Sequence, residues 1–256
     1  MLIKEYVPKS KNLIATSDSV FDCYKKLGVL KSSVHRVTNG VVLENFKIKI
    51  DKKYQKKKFG FDSEALTMIS VGRNHVKKNY DLILEIASIL KNESKLNFQF
   101  IIVGKGVYKL KTKIDNLNLT KHFFLFEGFS LTNAKNLYLP SLDLIKLYKV
   151  SDIFIFPSLI ESFGIVIIEA MAAGVPPIVS EVPGSKDLVK NNQNGFVVSK
   201  NNARQFVNVI VNFYNNKDLL SRIKKNCFSS VKKYDWEKVS VEYINIYNKI
   251  IKETFK

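Results

Sequence analysis

Short apolar runs alternate with amphipathic segments between residues 66 and 200 of the chain. The apolar runs predict β-strands at 66–71, 98–103, 122–126, 152–156, 177–180 and 195–198. The segments between them predict helices at about 79–91, 107–117, 141–149, 164–173 and 185–190. This alternation predicts an α/β fold with a doubly wound, mostly parallel sheet, whose ligands bind at the carboxyl ends of the strands.

Four residues with useful chemistry follow the predicted strands directly. They are Arg73, Gly104, Phe129 and Glu161. Because the carboxyl ends of parallel strands meet at one edge of a sheet, we expect these residues to converge on one rim. After residue 200 the pattern becomes purely helical, with predicted helices near 202–214, 217–232 and 236–254.

The segment ESFGIVIIEAMAAGVP, residues 161–176, predicts a short buried helix that stops at a glycine. Ser162 stands where it can cap this helix, and the free N–H groups of Phe163, Gly164 and Ile165 then form an end that attracts anions. Gly164 has no side chain to keep a ligand away from that backbone. The segment is therefore a candidate anion-binding site.

Glu169 lies two turns into this apolar helix, where a buried carboxylate needs hydrogen-bond donors. Adjacent hydroxyls of a ribose or hexose would supply them, since an ionised carboxylate only accepts. The alternative is a Glu that faces solvent. A glycosidase pair with Glu161 is disfavoured, because eight residues of helix rise roughly 12 Å and hydrolytic carboxyl pairs lie about 5 to 9.5 Å apart.

The stretch FPSLIESFGIVIIEAMAAGVPPIVS resembles the signature of the retaining glycosyltransferases of family 4, also called group 1, in which two Glu are separated by seven residues. SVGRNHVKKNYDLILEIASIL, FQFIIVGKG, FFLFEGF, LYKVSDIFIFPS, VPGSKDLV and NGFVV follow the order of the family's other motifs. The resemblance covers residues 66–200 almost continuously and implies the C-terminal, Rossmann-like half of a GT-B fold that binds a nucleotide-activated sugar.

The resemblance also implies roles for charged residues. Glu161 would bind hydroxyls of the donor sugar, and Glu169 would bind the ribose. Arg73 and Lys78 would neutralise the diphosphate and stabilise the leaving group. No residue spacing resembles a metal site, so we expect catalysis without a metal and no cofactor besides the nucleotide-sugar donor.

The remaining implied contacts to the nucleotide come from the backbone and one ring. Gly72, Gly104 and Gly106 would let the chain pass close to the nucleotide, and Phe129 would lie against the base. A departure from the family pattern is Asn79, which stands where the family usually has glycine; Asn tolerates a left-handed backbone nearly as well.

The domain boundaries expected from this resemblance include only part of the N-terminal domain of a GT-B fold. Residues 1–48 are expected to be a βαβ remnant of an N-terminal Rossmann-like domain, and residues 49–63 a Lys-rich linker. Residues 64–235 are expected to bind the nucleotide-sugar, and residues 236–256 to form a terminal helix. We expect both ends to need a partner surface, supplied by an N-terminal-domain protein or by a second copy of the chain.

The formal net charge of +18 arises from 41 basic and 23 acidic residues. Its longest cluster, DKKYQKKKF at 51–59, is interpreted as a solvated linker or as a face that binds an anionic membrane. Nucleic acid is disfavoured, because there are too few aromatic side chains there for base stacking. Two isolated cysteines and the lack of a leader or spanning segment favour the cytoplasm, with peripheral attachment to the inner face of the membrane.

Three functions are consistent with these observations. The first is a retaining glycosyltransferase, or its donor-binding half, that acts in cell-envelope polysaccharide or glycolipid synthesis on an unknown acceptor. The second is a non-catalytic donor-binding subunit of a complete enzyme. The third is a basic scaffold with a decayed site, which predicts no affinity for nucleotides.

Overall fold

A computed structural model describes residues 6–128 and 140–254. It begins with a small βαβ unit made of β1 (Leu13–Ala15), α1 (Asp18–Lys26) and β2 (Val34–Arg36). The two strands pair in parallel, and the Ser17 side chain caps α1 by accepting a hydrogen bond from the Val20 N–H. The predicted strand, helix and strand at this end are therefore present. Within the described residues, β1 has no strand partner besides β2.

The Lys-rich segment is not a solvated linker throughout. Residues Lys52–Lys58 form α2, which Asp51 caps, and Lys56 is only 3% exposed. The Lys56 ammonium donates to the Ala65 carbonyl at 2.8 Å and lies 3.9 Å from the Asp152 carboxylate. The sequence pattern did not indicate this buried lysine, because its counter-charge, Asp152, is distant in the chain.

Six parallel strands form the main sheet. They are β3 (Leu66–Val71), β4 (Phe98–Val103), β5 (Phe123–Phe126), β6 (Ile153–Phe156), β7 (Pro177–Ser180) and β8 (Phe196–Val198). Their order is β5-β4-β3-β6-β7-β8, so counting from β3 gives 3-2-1-4-5-6, the Rossmann order. All six predicted strands are confirmed to within one residue. Both faces of the sheet are covered, and β3, β4, β6 and β7 are buried along their whole length.

The helices around the sheet are α3 (Tyr80–Glu93), α4 (Lys111–Asn116), α5 (Leu142–Val150), α6 (Ile165–Ala172), α7 (Pro183–Leu188), α8 (Ala203–Asn215), α9 (Lys217–Val231) and α10 (Trp236–Thr254). The helix predicted at 107–117 is divided into a 3₁₀ turn, Val107–Leu110, and α4. The helix predicted at 185–190 begins earlier, because Pro183 occupies the first helical position, where its fixed φ is favourable.

The last helix, α10, has the predicted bounds and leaves an apolar face uncovered. Val239 is 1% exposed, whereas Val241, Ile244, Tyr247 and Ile251 are each 52–54% exposed. At the start of α10 the Trp236 ring packs on Gly40, where an added Cβ would lie 2.7 Å from the ring. None of the helices described has the length and apolarity needed to cross a bilayer.

Candidate functional site

Two cavities lie at the carboxyl ends of the strands, beside the point where the strand order reverses between β3 and β6. The first, of about 400 Å³, is lined by the ends of β3, β4 and β5 and by Glu169 of α6. The second, of about 470 Å³, is lined by Lys78, Glu161 and Ser162 among others. Arg73 lines both cavities and therefore stands where they meet.

Backbone alone forms one wall of the first cavity, at Gly72 and Gly104. A Cβ added to Gly104 would lie 2.0 Å from the Gly72 carbonyl oxygen, so no other residue fits without displacing that loop. The Gly72 N–H donates to the Val103 carbonyl at 2.8 Å, and the Tyr80 hydroxyl donates to the Gly72 carbonyl at 2.7 Å. The turn after β3 is therefore fixed by hydrogen bonds at both the N–H and the carbonyl of Gly72.

Gly106 lines neither of these two cavities. Its N–H donates to the Glu127 carboxylate at 2.8 Å, and its carbonyl accepts from the Asn74 side chain at 3.0 Å. These bonds hold Gly106 to the neighbouring loops, and its approach to a nucleotide stays a prediction. Phe129, predicted to lie against a base, is outside the described residues.

Two cations extend the rim. The Lys78 ammonium lies 2.8 Å from Oε2 of Glu161 and 4.6 Å from the centre of the Phe156 ring. Among the described residues the exposed Arg73 guanidinium has no hydrogen bond or ion pair. Asn79 has a φ of 55°, so it takes the left-handed conformation that the sequence allowed. Lys78 is therefore anchored, while Arg73 is available to a ligand.

The loop before α6 differs from the prediction. The helix begins at Ile165, and its N-cap is Gly164 with a φ of 91°, so Ser162 does not cap it. A left-handed residue at that position turns the preceding chain away from the helix axis. The Ser162 N–H instead donates to Oε1 of Glu161 at 3.1 Å, and its carbonyl accepts from the Ser17 hydroxyl at 2.6 Å.

Phe163 and Ile165, on either side of Gly164, differ in burial. The Phe163 ring is 3% exposed and packs edge-on against Tyr234 with centroids 5.8 Å apart, so it lines neither of the two cavities. Ile165 is 43% exposed at the first turn of α6, where N–H groups have no intrahelical acceptors. A Cβ on Gly164 would lie 2.8 Å from the Ile167 side chain.

The Glu169 carboxylate is hydrogen-bonded to a residue that the sequence pattern did not indicate. The Tyr148 hydroxyl donates to Oε2 of Glu169 at 2.9 Å. Burial raises the pKa of Glu169 to about 7, although the hydrogen bond from Tyr148 opposes the rise. Tyr148 and Tyr80 are tyrosines on otherwise apolar, buried helix faces, and such a hydroxyl usually has a partner. A tyrosine on an apolar helix face is therefore the feature of the sequence that could have identified these two residues.

No group of three His, Cys, Asp or Glu side chains that would hold a metal ion occurs within residues 6–128 and 140–254. The groups that line the cavities include four cations, two carboxylates and glycine backbone, the charged residues being Arg73, Lys77, Lys78, Lys105, Glu161 and Glu169. This set of groups suits an anionic ligand that carries hydroxyls.

The sequence profile of the family described as Glycosyl transferases group 1 matches residues 51–229. The chain belongs to the group 1 glycosyltransferases. A relative of this glycosyltransferase chain is the UDP-Gal:alpha-D-GlcNAc-diphosphoundecaprenol alpha-1,3-galactosyltransferase of Escherichia coli. The two are 32% identical over 236 residues, which cover 88% of this chain and 57% of that protein. The capsular polysaccharide biosynthesis glycosyltransferase CapM of Staphylococcus aureus is 26% identical, with 85% and 54% covered.

Solved structures of glycosyltransferases share the fold of this group 1 chain. A glycosyltransferase from Rickettsia africae ESF-5 superposes with a TM-score of 0.85 at 24% identity, with 98% of this chain and 67% of that chain covered. Anabaena Alr3699/HepE in complex with UDP-glucose superposes with a TM-score of 0.82 at 19% identity, with 98% and 66% covered. The fold is thus the C-terminal half of a GT-B glycosyltransferase with a βαβ unit before it. The chain spans little more than half the length of the two relatives above.

Proposed function

We propose that the chain is the donor-binding part of a retaining glycosyltransferase of family 4, which transfers a sugar from a nucleotide donor during synthesis of cell-envelope polysaccharide or glycolipid. The two cavities that meet at Arg73 carry this proposal. Glu169, which lines the first cavity, accepts hydrogen bonds from the ribose. Glu161 in the second accepts them from the donor sugar, and the diphosphate lies between them against Arg73 and Lys78.

The chemistry of the rim supports bond cleavage toward the nucleotide. As the glycosidic bond breaks, negative charge grows on the diphosphate, and a guanidinium and an ammonium stabilise that charge best when they are already in position. The E. coli relative is named for UDP-Gal, and the Anabaena structure holds UDP-glucose. UDP is therefore the first nucleotide to test on this chain.

Calorimetric titration with UDP and with uridine tests the donor site. We expect Arg73→Ala to weaken UDP binding about tenfold or more, because charge-assisted hydrogen bonds to the diphosphate are lost. Uridine binding should not change. Arg204→Ala is the matched control, because Arg204 pairs with Glu93 on the surface and lines neither of the two cavities. Equal losses for UDP and uridine would contradict the role of Arg73.

A second candidate is a donor-binding half that needs another polypeptide for turnover. The exposed apolar face of α10 favours it. So does β1, which within residues 6–128 and 140–254 pairs only with β2, since a two-stranded sheet is marginal by itself. Both features fit an N-terminal-domain protein or a second copy of the chain. Release of free sugar from UDP-sugars by the purified chain favours the first proposal, and binding without any turnover favours the second. The anomeric configuration of a product tests retention.

We also propose that the chain works in the cytoplasm at the inner face of an anionic membrane. The net charge of +18 supports this, because each lysine near such a surface contributes about 1 kcal/mol of binding. Co-sedimentation with phosphatidylglycerol vesicles at low salt, and release at high salt, is the expected result. Equal binding to phosphatidylcholine vesicles would contradict it.

A further inference from the structure

The two oxygens of the Glu169 carboxylate have different surroundings. Oε2 accepts the hydrogen bond from the Tyr148 hydroxyl at 2.9 Å. Oε1 has no hydrogen-bond partner among the described residues, and Glu169 lines the first cavity. One oxygen is therefore satisfied from the protein interior, and the other is left for a ligand.

Tyr148 is a rigid donor. It is completely buried on α5, and its ring packs against Phe154 with centroids 6.2 Å apart. Burial, together with the adjacent Glu169 carboxylate, raises the pKa of Tyr148 well above its usual value, so the hydroxyl keeps its proton. A second acceptor, the Val166 carbonyl, lies at 3.5 Å, too far to compete strongly.

We propose that Tyr148 is a positioning residue for the donor nucleotide: its hydroxyl fixes Glu169 through Oε2, so that Oε1 faces the cavity and accepts from a vicinal diol. This inference rests on the proposed function, because the diol is the ribose of the nucleotide. Without the hydroxyl, the carboxylate is free to rotate and must order on binding. Without it, the carboxylate also has no donor, among the described residues, that holds it ionised.

The pKa of Glu169 is a second quantity to measure, and it would not change if Tyr148 only filled space. The titratable groups that face it are Tyr148 from α5, Tyr80 behind Tyr148 from α3, and Arg73 and Lys105 from the loops that line the same cavity. Of these, the Tyr148 hydroxyl is hydrogen-bonded to the carboxylate and lowers its pKa. Tyr148→Phe removes that one interaction while the ring remains, so Glu169 should take up a proton at higher pH.

The test is calorimetric titration with UDP, 2′-deoxy-UDP and 3′-deoxy-UDP over a range of pH. We expect the wild type to prefer UDP, and Tyr148→Phe to reduce this preference about three- to tenfold, as for one lost hydrogen bond. The midpoint at which UDP binding weakens on acidification should move to higher pH. In Glu169→Gln, adding Tyr148→Phe should change the preference no further. Tyr234→Phe removes a hydroxyl from a buried tyrosine that lines neither of the two cavities and serves as the control.

A direct titration of Glu169 by its carboxyl ¹³C shift, assigned with Glu169→Gln, separates the two proposals. A higher pKa in Tyr148→Phe than in the wild type supports the positioning contact even if no nucleotide binds, a result that would sink the donor-binding function. An unchanged pKa, or an unchanged preference for UDP over its deoxy forms in a protein that binds UDP, would overturn the role of Tyr148.

Discussion

Nζ of Lys78 lies 2.8 Å from Oε2 of Glu161, and this ion pair joins two positions 83 residues apart in the chain. One partner is proposed to bind the diphosphate and the other the donor sugar. Without a ligand they neutralise each other, so a bound diphosphate must share the ammonium with a protein carboxylate.

Glu161→Gln should therefore tighten the binding of UDP itself, by about two- to fivefold, because a partly exposed ion pair contributes roughly 1 kcal/mol or less. The same change should weaken turnover of UDP-sugars, which lose an acceptor for their hydroxyls. Titration with UDP and a sugar-release assay measure the two effects. Glu181→Gln is the control, because it breaks an exposed pair with Lys186 of nearly the same length, 2.9 Å. Weaker UDP binding in Glu161→Gln would contradict the competition.

Glu169→Gln should stabilise the ligand-free protein at pH 8 and do so less at pH 5. Burial raises the folded pKa of Glu169 to about 7, above the usual value of 4.5. The folded state therefore holds the proton more tightly, and stability falls as the pH rises through this range. The gain in the free energy of unfolding of Glu169→Gln over the wild type is at most about 3 kcal/mol at high pH. Thermal unfolding at both pH values measures it, with Glu181→Gln as the exposed control. Equal gains at both pH values would show that the carboxylate charge is not the cause.

Gly104→Ala should abolish UDP binding and lower the free energy of unfolding by about 1–3 kcal/mol or more, because the added Cβ would lie 2.0 Å from the Gly72 carbonyl oxygen. The collision displaces the loop that carries Arg73. Gly60→Ala is the matched control: Gly60 has a φ of 77° but nothing within 4 Å of an added Cβ. It should show a backbone penalty of about 1–2 kcal/mol and normal UDP binding. Normal UDP binding by Gly104→Ala would show that displacement of the loop that carries Arg73 does not affect UDP binding.

Asp152→Asn should destabilise the protein by about 3 kcal/mol at pH 7, since removing this carboxylate leaves the buried Lys56 and the partly exposed Lys52 and Lys224 without their counter-charge. Lys52 lies 2.6 Å from this carboxylate, and Lys224 and Lys56 lie 3.8 and 3.9 Å away. Burial alone would raise the pKa of Asp152, but Lys52 foremost and the Thr67 N–H lower it.

The contribution of Asp152 is therefore present above the usual carboxyl pKa and is lost as the pH falls through its lower folded pKa. Urea unfolding at pH 7 and at pH 3 should show the two proteins converging at the lower pH. Asp81→Asn, which breaks an exposed pair with Lys113, is the control and should have little effect. A small loss for Asp152→Asn at pH 7 would mean that the lysines are hydrated in the native state.

The sheet was predictable because runs such as Phe98–Val103 are buried on both faces, and such strands are continuously apolar. The rim followed from the strand ends, which placed Arg73 and Gly104 beside one cavity. The loop before α6 was predicted wrongly, because the left-handed backbone of Gly164 is invisible in a pattern that also offers Ser162 as a cap.

The partners of charged and polar groups were not predictable. The cluster at 51–59 was interpreted as a solvated linker or a membrane-binding face, and the burial of Lys56 did not follow from it, because Asp152, its counter-charge, lies 96 positions along the chain. The same holds for Tyr148 and Glu169, which are on different helices. Periodicity identifies which residues are buried, but tertiary packing decides which buried polar groups meet.

The hydrogen bond from the Ser17 hydroxyl to the Ser162 carbonyl fastens the start of α1 to the loop that carries Glu161. The bonds from the Ser19 N–H and hydroxyl to Asp187 fasten the same helix to α7. A displacement of the βαβ unit relative to the main sheet therefore pulls directly on the loop beside the proposed sugar position. The βαβ unit and the loop that carries Glu161 are therefore connected by a direct hydrogen bond, which does not pass through the core of the sheet.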